Sequence, residues 1–358
     1  MRITFVVATA DLTGGCRVVG IYARRLIERG HDVLVVTRKP YRGSWRERVR
    51  SALRGDPTHL LPRRHVSHLE LLDVPRRYVD RHRPILARDV PDADAIVATW
   101  WETAEWIDAM PRRKGARAYL IQGNEADLVE DARRERVLRT WDLPFTRVVI
   151  SSWLGRLVEE RTGEAPILVP NSVDGAQFDA PPRGKQPRPT LGLTFSPTPI
   201  KGFDVATEVV RRVRAEIPTL RVVCFSAAKP PRDVQHWMEH HHRPAQDVIP
   251  KLYASCDVFL STSRQEGFGL PALEAMACRT PLVSTRYGGP ADFVRDGENG
   301  FLAEVDDVEA LTARVLEVLR LSDASWRALS ERTHASAHGY TWEDAAARLE
   351  AALELASS

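Results

Sequence analysis

Glu266 and Glu274 stand eight positions apart in the run RQEGFGLPALEAMA, residues 264–277. Gly267 and Gly269 lie between them. Leu270 and Pro271 then open a helical pattern, with proline near its first position, where no partner exists for its missing N–H. Glycine lets a backbone approach a ligand closely, and a helix N-terminus offers unpaired N–H groups to an anion. The two carboxylates would sit at the ends of a short cradle, where they accept hydrogen bonds from hydroxyl groups. The chemistry on offer is capture of an anionic, hydroxyl-bearing ligand. A capped helix with two surface glutamates is the plainer reading, and spacing alone leaves both open.

Two further segments carry similar chemistry. In FSPTPIKGFD, a turn from Ser196 to Pro199 precedes Lys201 and Gly202. A cation at a helix start opposes the helix dipole, so Lys201 needs a reason, and an anionic ligand would supply one. In DLTGGCRVV, Gly14 and Gly15 open the first helix. They do not form the GxGxxG dinucleotide fingerprint, and a tight turn without a ligand fits them equally well. His240, His241 and His242 are adjacent, so they point different ways and do not make a metal site. They are expected in or near a loop.

Positioning elements surround these residues. The apolar runs ITFVVAT, DVLVVT, DAIVAT, ARAYLIQ and RVVISS alternate with helical patterns. The first helix carries Val18, Tyr22, Leu26 and Ile27 on one face and stops at Gly30. After the Pro- and Gly-rich stretch DAPPRGKQPRP the pattern restarts with TLGLTFS, LRVVCFS, DVFLSTS, PLVST and GFLAEV. Strands alternating with helices predict an α/β chain with parallel sheets. At 358 residues two cores are expected rather than one. The expected domains are 1–172 and 173–338, each doubly wound and Rossmann-like, with a helix over 339–358 that Thr341 caps. Such sheets bind ligands beyond the carboxyl ends of their strands, and two of them facing each other form a cleft.

Composition narrows the class. Hydrophobic residues make up 43% and charged residues 28%, with a net charge of +3. No apolar run is long enough to span a bilayer. ITFVVATA is followed by Asp11 and glycines rather than a cleavage signal, so it reads as a buried strand of a cytoplasmic protein. The four cysteines show no paired or zinc-type spacing and read as reduced core thiols. Residues 41–90 hold twelve arginines, no lysine and six acidic residues. They read either as a solvated variable surface or as a basic face for peripheral contact at the inner membrane face. No nucleic-acid recognition motif accompanies them.

Taken together, E-G-F-G-L-P-x-L-E-A-M-A, T-P-L-V, G-G-x-x-D-F-V and N-G-F-L within residues 262–302, with VPNSVD, KGFD and the Gly14-Gly15 turn, resemble the retaining family-4 glycosyltransferases (glycosyl transferases group 1) of the GT-B fold. The resemblance is dense from Asp247 to Val305 and thin from Tyr41 to Val90. It implies two Rossmann-like domains facing across a cleft, with the last helix crossing back to the first domain. It implies a nucleoside-diphosphate sugar as co-substrate, no cofactor and no metal. Glu274 would bind the ribose and Glu266 the donor sugar. The amides of Phe268, Gly269 and Leu270 would hold the sugar and diphosphate, with Gly267 in the same turn. Lys201 would neutralise the diphosphate, and Gly15 would close on it beside Gly14. Lys201 and Glu266 are the residues expected to act in catalysis. An arginine usual in the family is Ser196 here, with Arg264 a candidate substitute, and a usual glycine is Arg279. On the acceptor side the candidates are Trp100, Trp101, Glu102, Asn124 and Glu125, with Trp106 beside them. The acceptor would be a saccharide, a glycolipid or a small molecule, in cell-surface polysaccharide or glycolipid biosynthesis. A natural-product enzyme, a phosphorylase or epimerase of the same fold, and a donor-binding scaffold with weak or no catalysis stay open.

Overall fold

The computed structural model describes residues 1–39, 67–80, 83–231 and 236–357. They group into two units. The first contains Met1–Val149, Leu157–Val169 and Ala346–Ser358; the second contains Ile150–Arg156 and Pro170–Ala345. Most of the arginine-rich stretch, residues 41–66 and 81–82, lies outside the described residues.

The first unit is built on β1 (Arg2–Val7), β2 (Asp32–Arg38), β3 (Arg76–Val79), β4 (Ala95–Ala98), β5 (Ala116–Ile121), β6 (Thr146–Val149) and β7 (Ile167–Leu168). They pair in parallel in the order β3-β2-β1-β4-β5-β6-β7. The second unit has β8 (Thr190–Thr194), β9 (Arg221–Ser226), β10 (Glu239–His242), β11 (Val258–Ser261), β12 (Leu282–Thr285) and β13 (Phe301–Ala303). Their order is β10-β9-β8-β11-β12-β13, again all parallel. Counted from its own first strand, the second sheet reads 3-2-1-4-5-6, the start of the first sheet's order. This is the doubly wound arrangement, with the order reversing between β1 and β4 and between β8 and β11.

Central strands are covered on both faces and are therefore continuously apolar: AIVA in β4 and LVST in β12 are buried throughout. The helix Gly14–Glu28 buries Val18, Tyr22 and Leu26, and Gly30 ends it at φ 91°. In the second unit Leu191, Val209, Val258, Leu311, Val315 and Trp326 share one core. Fully burying such a side chain stabilises by about 1.5–3 kcal/mol. The four cysteines are buried and unpaired with one another, and burial pushes the thiols of Cys224, Cys256 and Cys278 up to about 12.

Two strands depart from the sequence reading. β3 (RRYV) and β10 (EHHH) are polar edge strands, and neither shows the apolar run by which the others are read. The three histidines therefore lie on a strand and not in a loop. His240 bonds Ser226 Oγ at 2.9 Å, His241 bonds Glu239 at 2.8 Å and His242 bonds the Ala227 carbonyl at 3.0 Å. At the C-terminus, Thr341 and Asp344 cap the helix Trp342–Ser357 reciprocally. From Ala346 onward this helix belongs to the first unit, where Glu350 accepts from Arg29 Nε at 2.8 Å.

Candidate functional site

In the second unit the order of strands reverses between β8 and β11, and the loops leaving these two strands carry most of the predicted residues. After β8 come Ser196 and a short 3-10 turn, Pro199–Lys201, then Gly202 and the helix Phe203–Glu216. After β11 come Ser263, Glu266, the glycine turn and the helix Leu270–Ala277. Arg264 N donates to Ile200 O at 2.8 Å, so the two loops are stitched together by backbone. This brings Lys201 Nζ to 2.9 Å from Glu266 Oε1. Ser263 Oγ donates to the same oxygen at 2.6 Å. The partner that Lys201 needs is supplied here by Glu266.

Gly269 caps the helix Leu270–Ala277 at φ 93°, a conformation that a side chain would strain. The amides of Phe268, Gly269 and Leu270 mark the transition from turn to helix, where N–H groups lack helical partners. Phe268 is itself buried against Phe293, so its side chain anchors the turn while its backbone lines it. One turn into the helix, Glu274 is buried, and its Oε2 accepts from Tyr253 OH at 3.0 Å. Burial of a carboxylate without such donors is costly.

Arg264 is not a spare cation. Its guanidinium bonds Asp204 at 2.7 and 3.1 Å, Asp306 at 2.8 Å and Pro199 O at 2.7 Å, which positions the lysine turn. Ser196 Oγ accepts a turn bond from Thr198 N at 3.3 Å. Arg279 follows the Glu274 helix at φ 62°, the left-handed region where glycine is unstrained. Hydrogen bonds to Ala180 O and Glu331 hold it there.

The first unit holds the remaining candidates around its own reversal point. Gly14 and Gly15 are the first two residues of their helix, capped by Thr13. Trp100 caps the helix Trp101–Asp108. Trp101 is 4% exposed and packs with Ala126 and Val137, so it is a core residue with no free face for an acceptor. Glu102 lies 3.5 Å from Arg38, whose guanidinium covers the Trp106 ring. Asn124 Nδ2 donates to Asp127 at 2.6 Å. Glu125 is not a surface carboxylate: it is buried and accepts from Trp101 N at 2.6 Å and from Tyr119 OH at 3.0 Å. Among the described residues, Gln122 Oε1, Asn124 Oδ1 and Glu125 Oε1 are buried without a hydrogen-bond partner.

Burial pushes the Glu125 carboxyl up to about 8 despite those two donors. The folded chain thus holds a proton that the unfolded chain releases near pH 4.5. The stabilisation is complete below that value and is lost as pH rises through about 8. Between pH 5 and pH 9 this is on the order of 4 kcal/mol. Glu125→Gln keeps the acceptor oxygen and removes the titration. Urea unfolding across this range is expected to show that loss in the wild type and a flatter profile in Glu125→Gln; equal slopes would refute the assignment.

Several supporting residues escaped the sequence reading. Tyr287 OH bonds Ser261 Oγ at 3.1 Å, and burial beside the charge of Glu266 pushes its phenol well up. Trp153 Nε1 donates to Gly267 O at 3.2 Å. Gly289 brings its backbone against the glycine turn at Gly267–Gly269: a Cβ there would lie 1.7 Å from Phe268 O. Gly289→Ala is therefore expected to lower stability by about 1–3 kcal/mol or more. Gly14→Ala, with nothing within 4 Å of its Cβ, should cost nothing in the same denaturant titration. Equal effects would show that the Phe268 turn yields freely.

Residues 190–321 match the family profile of Glycosyl transferases group 1. The chain is 36% identical over 109 residues to O-antigen chain mannosyltransferase B of Escherichia coli, covering 30% of this chain and 28% of that protein. It is 27% identical over 219 residues to a D-inositol 3-phosphate glycosyltransferase of Acidothermus cellulolyticus, covering 61% and 44%. The matched stretches thus span less than half of these relatives' lengths. In fold, the chain resembles Anabaena HepE, solved with UDP and glucose, with a TM-score of 0.75 at 14% identity over 99% of this chain and 100% of that one. It also resembles a TarM mutant of S. aureus, solved with Fondaparinux, alpha-GlcNAc-glycerol and UDP, with a TM-score of 0.72 at 12% identity over 99% and 100%. The chain therefore has the GT-B fold, and its residues 190–321, which hold the whole run from Lys201 to Glu274, match the glycosyl transferases group 1 family.

Proposed function

We propose that the chain transfers a hexosyl group from a nucleoside-diphosphate sugar to an acceptor hydroxyl, with retention of anomeric configuration. The observation that carries this reading is the pairing of Lys201 with Glu266 at 2.9 Å, beside a glycine turn that opens the helix bearing Glu274. A cation, free amides and two carboxylates then stand along one short path. The diphosphate displaces Lys201 from Glu266. That frees Glu266 for a sugar hydroxyl, while Glu274 takes the ribose. As the bond to the sugar breaks, negative charge grows on the leaving diphosphate. Lys201 and the helix N-terminus stabilise it without a metal. The departing phosphate oxygen accepts the proton of the attacking hydroxyl on the same face, so no strong base is required.

On the acceptor side, the unpartnered buried oxygens of Gln122, Asn124 and Glu125 suit hydroxyl groups, which both donate and accept. Trp100 and Glu102 stand at the same reversal point. The likeness to an O-antigen chain mannosyltransferase supports a role in cell-surface polysaccharide or glycolipid assembly. Among the described residues no helix is long and apolar enough to cross a membrane. We place the reaction in the cytoplasm, with the arginine-rich stretch as a contact for the inner membrane face.

The test is a panel of nucleoside-diphosphate sugars with a saccharide acceptor mixture, following free nucleoside diphosphate and the product's anomeric proton by NMR. Release that requires acceptor, with the donor's anomeric configuration kept, is the expected result. Inversion would overturn the retaining mechanism, and release indifferent to acceptor would overturn transfer.

A further inference from the structure

A second cluster of chemistry lies at the far end of the Glu274 helix. His334 and His338 are four residues apart at the end of the helix Asp323–Ala337, on one face by helical spacing. One ring nitrogen of each and a carboxylate oxygen of Asp179 lie within 4.8 Å of one another. The imidazole rings stand 4.4 Å apart between centroids. His334 Nδ1 sits 2.8 Å from Ala277 O, the last carbonyl of the helix Leu270–Ala277. A carbonyl only accepts, so Nδ1 carries a proton, and Nε2 is the ring atom left for another partner. Nε2 faces Asp179 Oδ1 at 3.7 Å. Either a proton or a metal ion between these two atoms joins them. His338 Nε2 is buried and has no hydrogen-bond partner among the described residues.

We propose that Asp179, His334 and His338 form a binding site for a borderline divalent cation, with zinc as the expected occupant. Two imidazoles and a carboxylate are donors that select zinc, cobalt or nickel over calcium or magnesium. The bond from His334 Nδ1 to a backbone carbonyl is the outer contact that orients ligating histidines. The C-terminal ends of two helices converge here, and their partial negative charge favours a cation. Asp179 Oδ1 also accepts from Ala180 N at 2.8 Å, which fixes that oxygen. Arg279 opposes a nearby cation, but its guanidinium is bound by Glu331 and Ala180 O. The eight-residue helix Leu270–Ala277 separates this site from the Gly269 turn by its own length, about 12 Å. The metal therefore takes no part in transfer. It ties the segment around Asp179 to the helix Asp323–Ala337, against which the Glu274 helix ends.

The test uses the full chain without a histidine tag, stripped with a chelator. Cobalt(II) is titrated by its visible absorption, zinc is then added to displace it, and thermal unfolding is followed with and without zinc. One equivalent is expected, with a midpoint raised by about 5 °C at a hundredfold excess over Kd. Asp179→Asn and His334→Ala are each expected to weaken binding more than about tenfold. A His240→Ala, His242→Ala double variant on β10 should bind as the wild type does. Absence of binding in the wild type overturns the site. So does Asp179→Asn binding within twofold of wild type, which decides the matter even where His334→Ala fails to fold, because Asp179 is exposed.

Discussion

Lys201→Met is expected to lower kcat/KM for glycosyl transfer by about 10²–10³-fold, the size of effect seen when one pre-placed donor to a developing oxyanion is lost. The lysine is held by a turn whose carbonyls at Pro199 and Ile200 bond Arg264, so its ammonium is pre-placed. The loss should fall on kcat as well as on KM, because charge on the diphosphate grows as the sugar departs. Stability should barely change. The pair with Glu266 is part-exposed, at 38% for Lys201 and 15% for Glu266, and such pairs contribute roughly 1 kcal/mol or less. Activity lost without a shift in unfolding therefore separates the chemical role from a structural one. Lys201→Arg should recover only part of the rate, since a planar fork does not replace a compact ammonium. A Lys201→Met enzyme within about threefold of wild type would remove Lys201 from the mechanism.

Glu274→Gln is expected to raise KM for the donor by about 10–100-fold while leaving kcat within a few-fold. A hydrogen bond to a charged group is worth about 1.5–3 kcal/mol, and a ribose contact made equally in the bound and transition states appears in KM. Tyr253 OH holds the carboxylate at 3.0 Å, so Tyr253→Phe should give a weaker copy of the same change. A kcat defect with KM unchanged would place Glu274 at the reacting centre and not at the nucleoside.

Most of the candidate site's geometry was legible because its signals are local. Glycines beside carboxylates, a proline at a helix start and a lysine at another helix start can be read within ten residues, and the parallel strands announce themselves as apolar runs. What stayed hidden depends on residues distant in sequence. The two aspartates that claim Arg264, Asp204 and Asp306, lie 60 and 42 positions away from it. Glu125 looks like a loop carboxylate until Tyr119 and the amide of Trp101 are seen to enclose it. Gly289 matters because Phe268 O lies where its Cβ would be. The edge strands β3 and β10 have no periodic apolar face to read, since an edge strand is covered on fewer sides. The His334–His338 spacing was in plain view, but Asp179 joins it only through the fold.

The central claim is that the turn between Lys201 and Glu274 is a diphosphate site with a nucleoside at one end. Calorimetric titration of the wild type with nucleoside mono- and diphosphates tests it most directly. For the preferred base the diphosphate is expected to bind at least tenfold tighter than the monophosphate, and Lys201→Met is expected to erase most of that gap. Equal affinities, or a gap untouched by Lys201→Met, would contradict it.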